Sequence, residues 1–246
     1  MSETDLVLVV VASLVGSFVK SVTGMGYPLV AIPFLSLFIG VETAVVILVI
    51  PNVVANVVLN LQVRGARHET RDLPVLAVGA TVGAAVGTVL LVSVPERPLL
   101  LVLIVTIVVF IVHHVRSPAL GLQPATTRRW APLAGTTAGV MQGSVGMSGP
   151  IVAMWFHGYR LGKDAYVFSI TVLFLLAGVA QLVVLTVGGE LDRERLGASG
   201  LALAAALLVI PIGTRLRGRL QGRTFEHLVL ILLAGSAVSL LIRATS

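Results

Sequence analysis

The sequence predicts an all-α integral membrane protein built from two inverted repeats, each a re-entrant broken helix followed by three transmembrane helices. Composition, the spacing of apolar runs and a motif that recurs after 122 residues carry that prediction. Of 246 residues, 57% are hydrophobic and 11% charged, with a mean hydropathy of +1.02, whereas a soluble domain carries roughly 25% charged residues. These numbers exclude a water-soluble globule, a disordered chain and a nucleic-acid module. The net charge of +6 is scattered between apolar runs, as membrane-flanking charge is, and does not gather on one face. With no cysteine in the chain, disulfides, iron–sulfur clusters and thiolate metal sites are excluded, and no metal or cofactor is expected. The acidic start, Met1 to Asp5, lacks the positive region of a secretory signal and reads as part of the mature protein.

Taken in chain order, repeat one covers residues 1–115. It opens with a broken segment over 5–40, interrupted by glycines, and continues with spans Thr43 to Val63, Leu73 to Val94 and Arg97 to Val115. A linker over 116–129 is expected on the cytoplasmic side. Repeat two covers 130–246, with a broken segment over 130–159 and spans Ala165 to Val187, Leu196 to Thr214 and Phe225 to Ile242. Each of the six unbroken spans is about as long as a bilayer crossing requires. Glycine weakens a helix through its backbone entropy, so the clusters in the other two regions mark the breaks.

The breaks read Gly24-Met25-Gly26-Tyr27-Pro28 and Gly146-Met147-Ser148-Gly149-Pro150. The 122-residue shift also places Ala31 on Ala153 and Phe34 on Phe156, which indicates a tandem duplication. Charge decides how the broken regions lie. If each crossed fully, the loop Lys and Arg residues would divide nine to seven between the two sides; if each returns to its own side, they divide twelve to four. The second arrangement satisfies the positive-inside rule and makes the basic side cytoplasmic, with both termini outside the inner membrane. The segment Trp130 to Gln142, about 20 Å as a helix, is also too short to cross. Three crossings then separate the two repeat starts, so the repeats are inverted, a recurrent plan of secondary transporters.

A proline opens the second arm of each break, Pro28 or Pro150, a position where its missing N–H costs nothing. Two helix N-termini thus converge, presenting main-chain donors around Gly24, Met25, Gly26 and Tyr27 and around Gly146, Met147, Ser148 and Gly149, an arrangement suited to an oxyanion. Packing kinks alone would not need the same pattern twice. Lys20, one turn before the first break, is the only basic residue inside an apolar segment; it serves either as a substrate counter-charge or proton carrier, or as a snorkelling surface lysine. Asn52, Asn56 and Asn60 share one helical face after an expected break at Pro51, where they line a path or bond to neighbouring helices. Gly79, Gly83 and Gly87, like Ala198, Ala202 and Ala206, read as close-packing faces.

Gly146-Met147-Ser148-Gly149 also matches the glycine-x-serine-glycine pattern of rhomboid proteases. A serine nucleophile needs an activating histidine, yet His113, His114, His157 and His227 lie at segment ends, His68 lies in a loop, and repeat one carries Gly26 at the serine position. Duplication explains the motif better, and no enzyme is expected.

With these two glycine-rich, proline-terminated breaks, each followed by three spans, the chain resembles the TauE/SafE family of sulfite exporters over about Leu6 to Ile242. Gly16, Gly24, Gly26 and Pro28 carry the resemblance in the first copy, and Gly139, Gly143, Gly146, Gly149 and Pro150 in the second. The resemblance implies an inner-membrane permease exporting sulfite, organosulfonates such as sulfoacetate, or related anions. The expected partners are a small anionic substrate, the lipid bilayer and a coupling proton, with no nucleic acid; self-association stays open. A passive anion channel and a non-transporting scaffold are the alternatives.

Overall fold

A computed structural model describes residues 1–24, 26–116, 124–159, 161–220 and 223–245. Among these residues all regular structure is helical: α1 (Glu3–Thr23), α2 (Tyr27–Ile39), α3 (Val41–Gln62), a 3-10 turn (Arg64–Glu69), α4 (Leu73–Ser93), α5 (Glu96–Arg116), α6 (Pro124–Val145), α7 (Gly149–His157), α8 (Lys163–Val187), α9 (Arg193–Leu220) and α10 (Arg223–Thr245). Seven of these, α1, α3, α4, α5, α8, α9 and α10, are long and apolar enough to cross a membrane. The six expected spans coincide with α3, α4, α5, α8, α9 and α10.

These helices are apolar all round, as lipid immersion demands. On α4, Val78, Val82 and Val86 face outward while Ala80, Ala84 and Gly87 are buried. Small residues therefore point inward and branched ones toward lipid. A capping box starts α1, in which the Asp5 amide donates to Ser2 Oγ (3.2 Å) and the Ser2 amide to Asp5 Oδ2 (2.8 Å). Glycine ends it, since Gly24 takes φ +87°, a region that side chains with a Cβ avoid.

Side-chain pairs fix which helix ends lie together. At one end, the amino terminus meets Glu194, Arg195 bridges Glu42 (2.9 Å) and Glu190 (2.7 Å), and Arg243 reaches Glu96 (3.2 Å) and the Ser36 carbonyl (2.6 Å). Both the start of α1 and the end of α2 are held there. At the other end, Arg71 donates to Thr127 Oγ1 (2.7 Å), while the Tyr159 hydroxyl donates to Asp72 Oδ2 (3.0 Å) and accepts from Trp155 Nε1 (2.6 Å). That network gathers the start of α6 and the end of α7. Each broken region thus returns to the end from which it entered. The first end carries Glu42, Glu96, Glu190 and Glu194, and the second is rich in arginine.

Two expectations about the breaks need correction. The first arms are not half-helices: α1 has 21 residues and α6 has 22, starting at Pro124 and not near Trp130. At 1.5 Å per residue α6 is about 33 Å long. Gly135, Gly139 and Gly143 do not interrupt it, because each is needed where α6 lies against the backbone of α4. Only the second arms are short, at 13 residues for α2 and 9 for α7. Nor does Pro51 break α3, which runs continuously from Val41 to Gln62; neighbouring helices tolerate a proline inside a spanning segment.

The most extensive packing is α6 against α4, followed by α1 against α9. A Cβ at Gly79 would lie 2.9 Å from the Pro132 carbonyl oxygen, and one at Gly143 2.6 Å from the Thr88 amide nitrogen. The expected close-packing faces are real: Gly83, Gly87, Ala198, Ala202 and Ala206 are buried. Gly24 rests on Val167 and Gly146 on Val45, and the 122-residue shift carries one contact onto the other.

Candidate functional site

The two breaks meet at the centre of the bundle. Gly26, Pro28 and Leu29 from the first share a cavity with Gln142, Gly146, Met147, Ser148 and Gly149 from the second, closed by Phe174 of α8. A second space is walled by Pro28, Asn52, Gln142, Gly146 and Gln181. Each has a volume of about 10 Å³, about the room that one water needs.

The short arms begin there without side-chain caps. Gly26, at φ +125°, precedes α2, and Ser148 precedes α7. A serine at that position ordinarily accepts from the first turn of its own helix. Here Ser148 Oγ instead donates to Gln142 Oε1 (3.0 Å). Both uncapped helix starts, with their partial positive charge, therefore border the cavity. Gly146 takes φ +68°, and a Cβ there would collide with Ile32.

Lys20 lies completely buried on α1. Its ammonium makes one hydrogen bond, to Asn52 Oδ1 (3.0 Å), and sits 5.6 Å from the centre of the Phe174 ring. No carboxylate pairs with it among the described residues. The snorkelling alternative is therefore not what the structure shows. Asn56 Nδ2 approaches Asn52 Oδ1 at 3.4 Å, leaving the buried Asn56 Oδ1 without a partner.

Other expected residues play different parts. Tyr27 is buried, but its hydroxyl shares a 3.1 Å hydrogen bond with Ser13 on α1 and stays out of the cavity. Gly24 packs on Val167 and does not line the space, and Met25 lies outside the described residues. Asn60 ties α3 to α8 through Thr171 Oγ1 (3.1 Å). Ser148 Oγ is bonded to the Gln142 side-chain amide, which does not act as a general base.

Residues not singled out as ligands complete the site. Gln142 and Phe174 stand 122 residues after Lys20 and Asn52, so the shift itself marks them. Gln181 Nε2 donates to the carbonyls of Gln142 (3.2 Å) and Gly143 (3.1 Å), capping the end of α6 from a neighbouring helix. No local sequence signal announces that contact.

Among the described residues, seven long apolar helices around a glycine-lined centre define a multi-pass membrane protein. The chain belongs to the TauE/SafE family of sulfite exporters, whose family model matches residues 8–240. No curated protein and no solved structure matches it.

Proposed function

We propose that this chain is a secondary transporter that exports small sulfur oxyanions, sulfite or organosulfonates, across the inner membrane by alternating access. Its two halves, residues 1–115 and 130–246, act as inverted repeats with the basic end in the cytoplasm and both termini outside. The anion sits between the breaks, held by Lys20, by Asn52 and Asn56, and by the main chain at Gly26 and at Gly146 to Gly149, with protons as the coupling ion.

One observation carries this reading: an ammonium at membrane depth whose single hydrogen bond goes to a neutral amide. Removing a charge from water costs several kcal/mol even after relaxation, and an anionic guest offsets that cost where no carboxylate does. An interior negative potential favours the anion's exit by about 2.3 kcal/mol per charge per 100 mV.

Proteoliposomes loaded with labelled sulfite test it. Saturable efflux that accelerates under counterflow and responds to a pH gradient is expected, and Lys20→Met should abolish it while protein level and folding persist. Linear flux without counterflow would indicate a passive channel instead. Unchanged efflux in Lys20→Met would remove the ammonium from the mechanism.

A further inference from the structure

Gln142 occupies in the second half the place that Lys20 holds in the first, each four residues before its left-handed glycine. It is buried and stands in the wall of both small central spaces. Ser148 donates to its Oε1, so the acceptor side of the carboxamide is occupied and Nε2, with two N–H donors, bonds to no other described group. Directly behind it, the two carbonyls that would repel an anion, those of Gln142 and Gly143, are taken by Gln181. Two of the free carbonyls at the end of α6 are thereby capped.

The charge count is equally specific. Lys20 brings one positive charge, and among the described residues no Asp or Glu pairs with it. We propose that Gln142 is the second half's substrate ligand, and that this pair of one charged and one neutral donor selects singly charged oxyanions over doubly charged ones. A monoanion such as hydrogen sulfite or an alkanesulfonate forms a neutral pair with Lys20, whereas a dianion such as sulfoacetate leaves one surplus charge buried in low dielectric. Ser148 and Gln181 are positioning residues that orient Gln142 and clear its surroundings. This inference rests on the anion-transport reading above.

Methanesulfonate and sulfate are suitable probes, being similar in their S–O geometry while differing by one charge that neither changes near neutral pH. Competition against labelled methanesulfonate on the purified full chain should show the monoanion preferred by at least about 100-fold. Gln142→Leu should weaken methanesulfonate by about 10- to 100-fold, the range for a hydrogen bond to a charged group. Gln142→Lys should shift preference toward sulfate by about 10-fold or more. Exchanging the pair, Lys20→Gln with Gln142→Lys, should keep the monoanion preference, because the count of charges is unchanged.

If the unsubstituted protein binds neither probe nor sulfite saturably, the anion-transport reading falls and takes this inference with it. If it binds them, but sulfate competes as well as methanesulfonate or Gln142→Lys leaves their ratio unchanged in folded protein, the inference alone is overturned. Wild-type affinity in Gln142→Leu would likewise remove Gln142 as a ligand.

Discussion

Replacing Gly139 with alanine tests the helix ridge on which the whole arrangement rests. Its Cβ would sit 2.8 Å from both the carbonyl carbon and the Cα of Ala80, where ordinary contact is 3.4–4 Å, and would collide with the Ala80 carbonyl oxygen. All three neighbours are backbone atoms, so no rotamer change relieves them. Restoring contact distance needs α4 and α6 to separate by about 1 Å, and a gap of 0.5–1 Å forfeits a quarter to a half of the dispersion well along the ridge. Overpacking of this kind costs about 1–3 kcal/mol, against which alanine gains about 1 kcal/mol in helix propensity. The expected net loss is about 0–2 kcal/mol, which leaves Gly139→Ala about 1–3 kcal/mol below an alanine at an open helical glycine. Gly200 and Gly235, also helical, have nothing within 4 Å of a built Cβ, so alanine there should be neutral or stabilising by up to about 1 kcal/mol. Adding Gly83→Ala to Gly139→Ala should cost less than the sum, since the helices have already parted. Thermal unfolding in a single detergent measures these four variants and Gly83→Ala alone. A Gly139→Ala protein as stable as Gly200→Ala would refute the argument from close backbone approach.

Three further outcomes are expected. Gly146→Ala combines a left-handed backbone with a clash against Ile32, so it should destabilise the fold by about 1–3 kcal/mol; adding Ile32→Ala should recover the steric part only, and full recovery in unfolding scans would show that the backbone is unstrained. Burial and the adjacent Asp72 push the Tyr159 phenol up to about 12. The folded state therefore favours the neutral phenol, and stability is lost as pH rises past the ordinary tyrosine value of about 10; Tyr159→Phe should unfold with a weaker alkaline dependence, and an unaltered pH profile would contradict this. Single cysteines in place of Glu190 and Glu69 should react with an impermeant reagent from opposite sides of intact cells, and labelling from one side would break the assignment of the two ends.

Much of the frame was legible because membrane burial imposes simple rules. Apolar length alone located α3, α4, α5, α8, α9 and α10, and the division of arginines matched the side-chain pairing that returns each broken region to its own end. The arms were misjudged for a definite reason. Glycine disfavours a helix only when its missing side chain is not exploited by a neighbour. Gly135, Gly139 and Gly143 face the backbone of α4, and the contact that keeps α6 helical is made by a segment some 60 residues away in the chain. No local pattern distinguishes such glycines from those at Gly24 and Gly146, where the chain turns.

The site divided along similar lines. Lys20 was visible as an isolated charge, and its buried bond to Asn52 joins two residues that sequence reasoning had singled out separately. Gln142 was visible only as the position where the charge failed to repeat, yet that failure is informative. A duplicated frame supplies two equivalent approaches to one centre, and identical residues at both would place two cations side by side, each raising the cost of charging the other. Keeping an ammonium on one approach and an amide on the other preserves donors on both sides while holding the central charge at one. Asn52 and Phe174 follow the same logic: the amide accepts from Lys20, while the ring at the equivalent place offers its face to the same cation. In the proposed mechanism the repeated frame brings the groups together, and the difference at two pairs of side chains sets the charge that they receive.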